Sequence, residues 1–263
     1  MARVTRIITV ANQKGGVGKT TTTVNIAAAL ALAGHRVLVV DLDPQGNAST
    51  ALGIPHHEGV PGIYEVLVGG ASLPSVLQEC PDIPGLWLAP ATIDLAGAEI
   101  ELVGSERREY RLAETLHQGN LASPRGEVFD FIFVDCPPSL GLLTINALVA
   151  AREVLLPIQC EYYALEGLSQ LLRTVDMVRS GLNPRLGIGA ILLTMYDGRT
   201  RLASQVTEEV RTHFGERVLQ TVIPRAVRVS EAPSFGQTVL TYDSSSPGAL
   251  TYRQAAAELL QLG

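Results

Sequence analysis

Of the chain's twenty lysines and arginines only two are lysine, and both fall in the stretch Lys14-Gly15-Gly16-Val17-Gly18-Lys19-Thr20-Thr21. A compact ammonium donates in any direction and slips between phosphate oxygens, whereas a planar guanidinium is wide and directional, so Lys14 and Lys19 are candidates for phosphate chemistry. Gly15, Gly16 and Gly18 let successive backbone N–H groups curl around an anion. Thr20 offers a hydroxyl for Mg²⁺ at the start of a helix whose dipole favours negative charge. Arg6 to Ala11 reads as a buried strand, and Thr20 to Ala33 as an alanine-rich helix closed by Gly34. Strand, glycine loop and helix in that order predict an α/β fold with a nucleoside triphosphate at the loop.

The rest of the chain continues that alternation. Strands are predicted at Arg6 to Ala11, Arg36 to Asp41, Leu86 to Ala89, Phe129 to Asp135, Glu153 to Gln159, Gly187 to Thr194 and Val218 to Ile223. Helical stretches are predicted near residues 62–79, 106–118, 141–150, 164–180, 201–214 and 248–262, with irregular segments at Leu42 to Pro61 and Thr241 to Gly248. Such a sequence predicts a mostly parallel twisted sheet with helices on both faces. No repeat, low-complexity tail or long linker divides it, so 1–263 is expected to be a single domain.

Composition narrows the function classes. The chain enters a strand almost at once and has no apolar run of about 18 residues, so neither a signal segment nor a membrane span is expected. Cys80, Cys136 and Cys160 share no C-x-x-C spacing and read as reduced thiols of a cytoplasmic protein, buried as small hydrophobes. The five histidines lack metal-ligand spacing, and His56-His57 reads as an exposed pair in a polar loop.

In open sheets of this kind, ligands gather at the carboxyl ends of the strands. Asp41-Leu42-Asp43-Pro44-Gln45-Gly46-Asn47 follows one apolar strand and Asp135-Cys136-Pro137-Pro138-Ser139 another. A carboxylate after four apolar residues is placed at the crevice, facing the Mg²⁺ that Thr20 would hold, and Asp135 is the candidate. Asp41 and Asp43 stand two apart, so in extended backbone both would point toward the phosphate side.

Position one of the strict phosphate-loop pattern is Gln13 rather than glycine, and the extra lysine is Lys14. K-G-G-V-G-K-T-T resembles the signature of the deviant Walker A ATPases, which include ParA and Soj partition proteins, MinD and the nitrogenase iron protein. The Soj-type branch is resembled almost end to end. Beyond the loop and the two aspartate segments, the resemblance rests on Pro90-Ala91-Thr92, Leu95-Ala96-Gly97-Ala98-Glu99, Glu161-Tyr162-Tyr163-Ala164-Leu165-Glu166-Gly167, Thr194-Met195-Tyr196-Asp197, Ile223-Pro224-Arg225 and Ser230-Glu231-Ala232-Pro233-Ser234.

That resemblance implies a slow, partner-stimulated ATPase. Lys14, Gly15, Gly16, Val17, Gly18, Lys19, Thr20 and Thr21 would bind the phosphates of ATP, with Met195, Pro224 and Arg225 at the base. Thr20, Asp41 and Asp135 would serve the metal region, and Asp43 would position the attacking water. Lys14 would reach across a two-fold interface to the partner subunit's nucleotide, with Gly15 where the two backbones nearly touch. The implied partners are a second copy, non-specific double-stranded DNA of the nucleoid, and a ParB- or Spo0J-like centromere-binding protein.

A net charge of −6 argues against DNA, whose affinity for proteins is dominated by cations meeting phosphates. Between Arg179 and Arg228, however, eight arginines face four acidic residues, a local balance of +4. By resemblance Arg199 and Arg228 are the DNA-contacting candidates; solvated arginines paired with surface acids are the plainer alternative. A MinD-like membrane-surface ATPase would need a basic amphipathic C-terminal helix, and Thr251 to Gly263 carries one arginine and one glutamate. An iron protein would need two cluster cysteines per subunit, and Cys136 has no partner of matching placement.

Overall fold

The computed structural model describes residues 4–117, 121–161 and 164–262. In chain order its elements are β1 (Arg6–Val10), α1 (Lys19–Leu32), β2 (Val37–Asp41), α2 (Asn47–Ala51), α3 (Ile63–Leu67), α4 (Leu73–Val76), β3 (Gln78–Glu79), β4 (Leu86–Ala89), α5 (Leu95–Leu102), α6 (Arg111–His117) and β5 (Phe131–Asp135). Then come α7 (Leu142–Ala150), β6 (Glu153–Gln159), α8 (Ala164–Gly181), β7 (Gly187–Tyr196), α9 (Arg201–Phe214), β8 (Val218–Pro224), α10 (Val227–Glu231), α11 (Val239–Tyr242) and α12 (Pro247–Gln261).

The strands form one eight-stranded sheet in the order β3-β4-β2-β5-β1-β6-β7-β8. All described neighbours are parallel except β3 with β4. Successive residues of a strand face opposite sides, so the apolar runs feed two cores. Leu38, Val40, Ile132 and Val134 pack on one face. Val37, Val39, Phe131 and Phe133 pack on the other, where α1 and α12 lie. Helix α1 is buried from Thr22 through Ala31, which explains its lack of a polar stripe. No helix among the described residues is long and apolar enough to cross a membrane.

Several expectations need correction. The stretch 62–79 is not one helix: α3 stops before Gly69-Gly70, where Gly70 takes φ +72°, and after α4 the chain pairs antiparallel as β3. Glycines at a helix end release the chain into a left-handed turn. The stretch read as irregular after Asp41 contains α2, and the one at Thr241 overlaps α11. Helix α5 was not anticipated, because Gly97 interrupts an otherwise short apolar pattern. Gln118, the expected last residue of a helix, and Tyr162-Tyr163 of the resemblance lie outside the described residues. His56 is half-buried rather than exposed, with Nδ1 at 3.0 Å from the Ile54 carbonyl and Nε2 at 3.3 Å from Thr50 Oγ1. All three cysteines are free and buried.

Candidate active site

The loop between β1 and α1 is shaped by two glycines in the left-handed region, Gly16 at φ +74° and Gly18 at φ +86°. Side chains rarely adopt that conformation, so glycine is required at both positions. Strands β6 and β7, on one side of β1, pin the loop at two points. Asn12 donates to the Pro157 carbonyl at 2.8 Å and accepts from the Lys14 N–H at 3.0 Å. Thr194, at the end of β7, donates to the Val17 carbonyl at 2.9 Å. Thr194 falls in the Thr194-Met195-Tyr196-Asp197 segment of the resemblance, whereas nothing in the sequence marked Asn12, and both contacts hold peptide planes of the loop.

Lys19 opens α1 and is 7% exposed, its Nζ 3.5 Å from the Lys14 carbonyl. Burial pulls the Lys19 ammonium below its usual range, and Asp135 opposes that shift. A buried ammonium at a helix N-terminus, beneath backbone N–H groups, is built to receive a multiply charged anion.

Asp135 ends β5 fully buried, with Oδ2 accepting from Thr20 Oγ1 at 2.7 Å and Oδ1 from Thr23 Oγ1 at 2.8 Å. Across the parallel register it stands opposite Asp41 of β2. Burial drives both carboxyls well above the ordinary carboxylate range, and for Asp135 the Asp41 charge is the next cause. A buried acid beside a threonine hydroxyl, with a second acid opposite it in the sheet, fits a nearby divalent cation, which would offset the charge that burial resists.

The placement of Asp41 differs from the extended-chain expectation. The strand stops there and the chain turns, with Asp41 Oδ1 accepting from the Asp43 N–H at 3.2 Å. Its Oδ2 accepts from the Ser49 N–H at 3.0 Å and the Ser49 hydroxyl at 2.8 Å. Asp41 therefore braces the segment from Asp43 to α2, and only Asp43 lines the cleft.

That cleft has a volume of about 760 Å³ at the carboxyl ends of the strands. Gly15, Gly16, Gly18, Lys19, Thr20 and Thr21 form its floor, and Met195, Pro224 and Arg225 also line it, Met195 close beside Gly18. Met195 takes φ +52°, a strained conformation for a side-chain-bearing residue and one that clusters at ligand sites. Apolar Val24, Val229 and Tyr252 also line the cleft, and nothing in their local sequence singled them out.

Lys14 does not line this cleft, although six residues of its own loop do. Its ammonium pairs instead with Glu161 at 3.2 Å. Arg199 and Arg228 lie beyond the ends of β7 and β8. Arg199 makes a two-pronged contact to Asp197 at 2.8 and 2.7 Å, and Arg228 reaches Glu231 at 3.2 Å and Asp243 at 3.5 Å.

A family model described as an AAA domain matches residues 5–188. The chromosome partitioning protein ParA of Myxococcus xanthus is 51% identical over 99% of this chain and 89% of its own length. The chromosome-partitioning ATPase Soj of Thermus thermophilus is 52% identical over 97% and 95%. Among solved structures, a Mycobacterium smegmatis protein described as cobyrinic acid a,c-diamide synthase, with bound ATP analogue and magnesium, is 41% identical with a TM-score of 0.82, covering 98% of this chain and 95% of that one. Identity at the level of the two partition proteins, running along nearly the whole of both sequences, shows that this chain belongs to the ParA/Soj family of chromosome-partitioning ATPases.

Proposed function

We propose that residues 1–263 act as one switching unit that binds ATP with Mg²⁺, dimerises around it, holds nucleoid DNA without sequence preference, and lets go when a ParB-like partner stimulates hydrolysis. The observation that carries this reading is the contrast between the two lysines. Lys19 lies buried on the floor of the cleft, while Lys14 stays out of it, half-exposed with its ammonium on Glu161, and is available to a nucleotide bound by another subunit once that pair opens.

In this reading the loop N–H groups and Lys19 bind the phosphates, and Met195, Pro224 and Arg225 face adenine. Thr20 and Asp135 would hold Mg²⁺, which would supply charge neutralisation to the phosphates. Asp41 acts on the site through Asp43, whose backbone it fixes. Asp43 orients water in line with the γ-phosphorus; the water oxygen bonds to phosphorus, the bond to the bridging oxygen breaks, and ADP and phosphate leave. Lys14 of the second subunit adds positive charge as charge builds on the transferring group, which ties hydrolysis to dimerisation.

Arg199 and Arg228 are proposed to meet DNA phosphates, exchanging their present acidic partners for them. The MinD-like alternative is disfavoured by α12, whose Tyr252, Ala255, Ala256 and Leu259 are buried in the core rather than offered to a membrane surface. The amidation for which the mycobacterial protein is named is not adopted, because the more similar curated relatives are partition proteins. The test is DNA retention measured with ATP, with ADP and without nucleotide, with and without the ParB-like protein. Retention only with ATP, relieved by that protein, is expected; retention independent of nucleotide would reject the switch.

A further inference from the structure

Glu161 stands two residues beyond the end of β6 and gathers cations from two distant elements. Lys14 Nζ lies 3.2 Å from its Oε2. A guanidinium nitrogen of Arg225, just past β8, lies 3.8 Å from its Oε1. The Gln159 side-chain amide donates to the same Oε1. One carboxylate thus holds both the lysine and the arginine that the proposed function gives to nucleotides. The Lys14 backbone is tied to Asn12 Oδ1, so its reach depends on its four-carbon side chain alone. An ammonium turned toward Glu161 of its own chain is not at the same time on the phosphates of another subunit.

We infer that Glu161 is a positioning residue that restrains Lys14 within its own subunit, so that ATP-driven dimerisation has to break this ion pair twice, once on each side of the two-fold axis. The inference rests on the proposed action of Lys14 across the interface. Both side chains are half-exposed, at 36% and 46%. An ion pair of that kind is worth a factor of roughly 1.4 to 5 in an equilibrium. Two of them make about two- to thirtyfold. Removing the carboxylate therefore tightens the dimer. The direction is diagnostic, since losing a contact that merely supported the fold would weaken association.

The experiment measures the dimer dissociation constant with a non-hydrolysable ATP analogue by sedimentation, for the wild-type chain, Glu161→Gln, Lys14→Ala, Arg225→Ala, and Glu161→Gln combined with each of the latter two. Glu161→Gln should lower the constant about two- to thirtyfold, and should do so equally in the Arg225→Ala background. In the Lys14→Ala background it should change nothing, leaving the double variant as poorly dimeric as Lys14→Ala alone. An unchanged or weaker Glu161→Gln dimer overturns the restraint. So does tightening that survives without Lys14 or vanishes without Arg225. If Lys14→Ala itself dimerises like wild type, the action of Lys14 across the interface is what has failed, and the restraint falls with it.

Discussion

Thr20 Oγ1 donates to Asp135 Oδ2 across 2.7 Å, joining the first turn of α1 to the end of β5. Thr23, one turn further along the same helix face, holds the other oxygen at 2.8 Å. The strand-end acid and the helix after the phosphate loop are therefore one rigid unit, and the carboxylate is aimed before any ligand arrives. Holding a buried acid this way costs stability, a common feature of sites shaped for a charged ligand.

Asp135→Asn should expose that cost. Because burial raises the Asp135 pKa in the folded state, the folded protein holds a proton that the unfolded chain releases. The associated stability is complete below the ordinary carboxylate pKa of about 4 and is lost as pH rises toward neutrality. In metal-free buffer the wild-type melting temperature should fall over that range, and the asparagine variant should fall less, ending about 2 °C or more higher at neutral pH. ATP hydrolysis should drop together with the demand for Mg²⁺. Parallel pH profiles for the two proteins would show that Asp135 ionises without difficulty.

Asp43→Ala and Lys19→Ala should separate chemistry from affinity. Lys19 is buried on the floor of the cleft, and its loss should abolish nucleotide binding in a fluorescent-ATP titration. Asp43 lines the cleft, and its Oδ1 accepts from the Gln45 N–H of its own turn at 3.0 Å rather than from the glycine loop, so its alanine variant should bind ATP and fail to turn it over. Wild-type turnover by Asp43→Ala would move the water-positioning role elsewhere.

Gly15→Val should fold and bind ATP normally yet remain monomeric by light scattering. A Cβ added at Gly15 meets nothing within 4 Å in the isolated chain, and its backbone is not in the left-handed region, unlike Gly16 and Gly18. Any defect then has to come from the second subunit. A normal ATP dimer would place the interface away from this loop.

Thr194→Val removes the hydroxyl that holds the Val17 carbonyl, in a residue only 2% exposed. Leaving a buried carbonyl unpaired costs about 1–3 kcal/mol. If that cost falls on the loop conformation, ATP affinity should weaken about tenfold while DNA-free folding persists. Unchanged affinity in a titration would mean that the loop holds its shape without β7.

Asp197→Asn should strengthen ATP-dependent DNA binding, because Arg199, 89% exposed at its side chain, is drawn to Asp197 and pulls that carboxyl down to about 2. Arg199→Ala and Arg228→Ala should weaken binding to all sequences alike. With one phosphate per arginine a dimer makes about four contacts, and log K should fall with log salt at a slope near −3.6, with each variant flattening it by about two contacts. Equal affinity in all these proteins would leave both arginines as surface ion pairs.

Much of this molecule is legible in order along the chain. Strand, glycine loop and helix around Lys14 to Thr21 are local patterns, as are the aspartates that end β2 and β5, because strand periodicity, glycine freedom and helix starts are set by neighbouring residues. Such patterns located the glycine loop and the acids that end β2 and β5. They failed where the outcome depends on a distant partner. Gly69-Gly70 breaks an expected helix whose continuation becomes β3 only because β4 is there to pair with it. Asp41 turns away from the phosphate side because Ser49, at the start of α2, offers two donors to one of its oxygens. Lys14 finds Glu161 from 147 residues away, a contact that exists only once β1 and β6 lie side by side in the sheet. Local chemistry chose the residues of the site; register and packing between strands far apart in sequence decided which of them face the cleft.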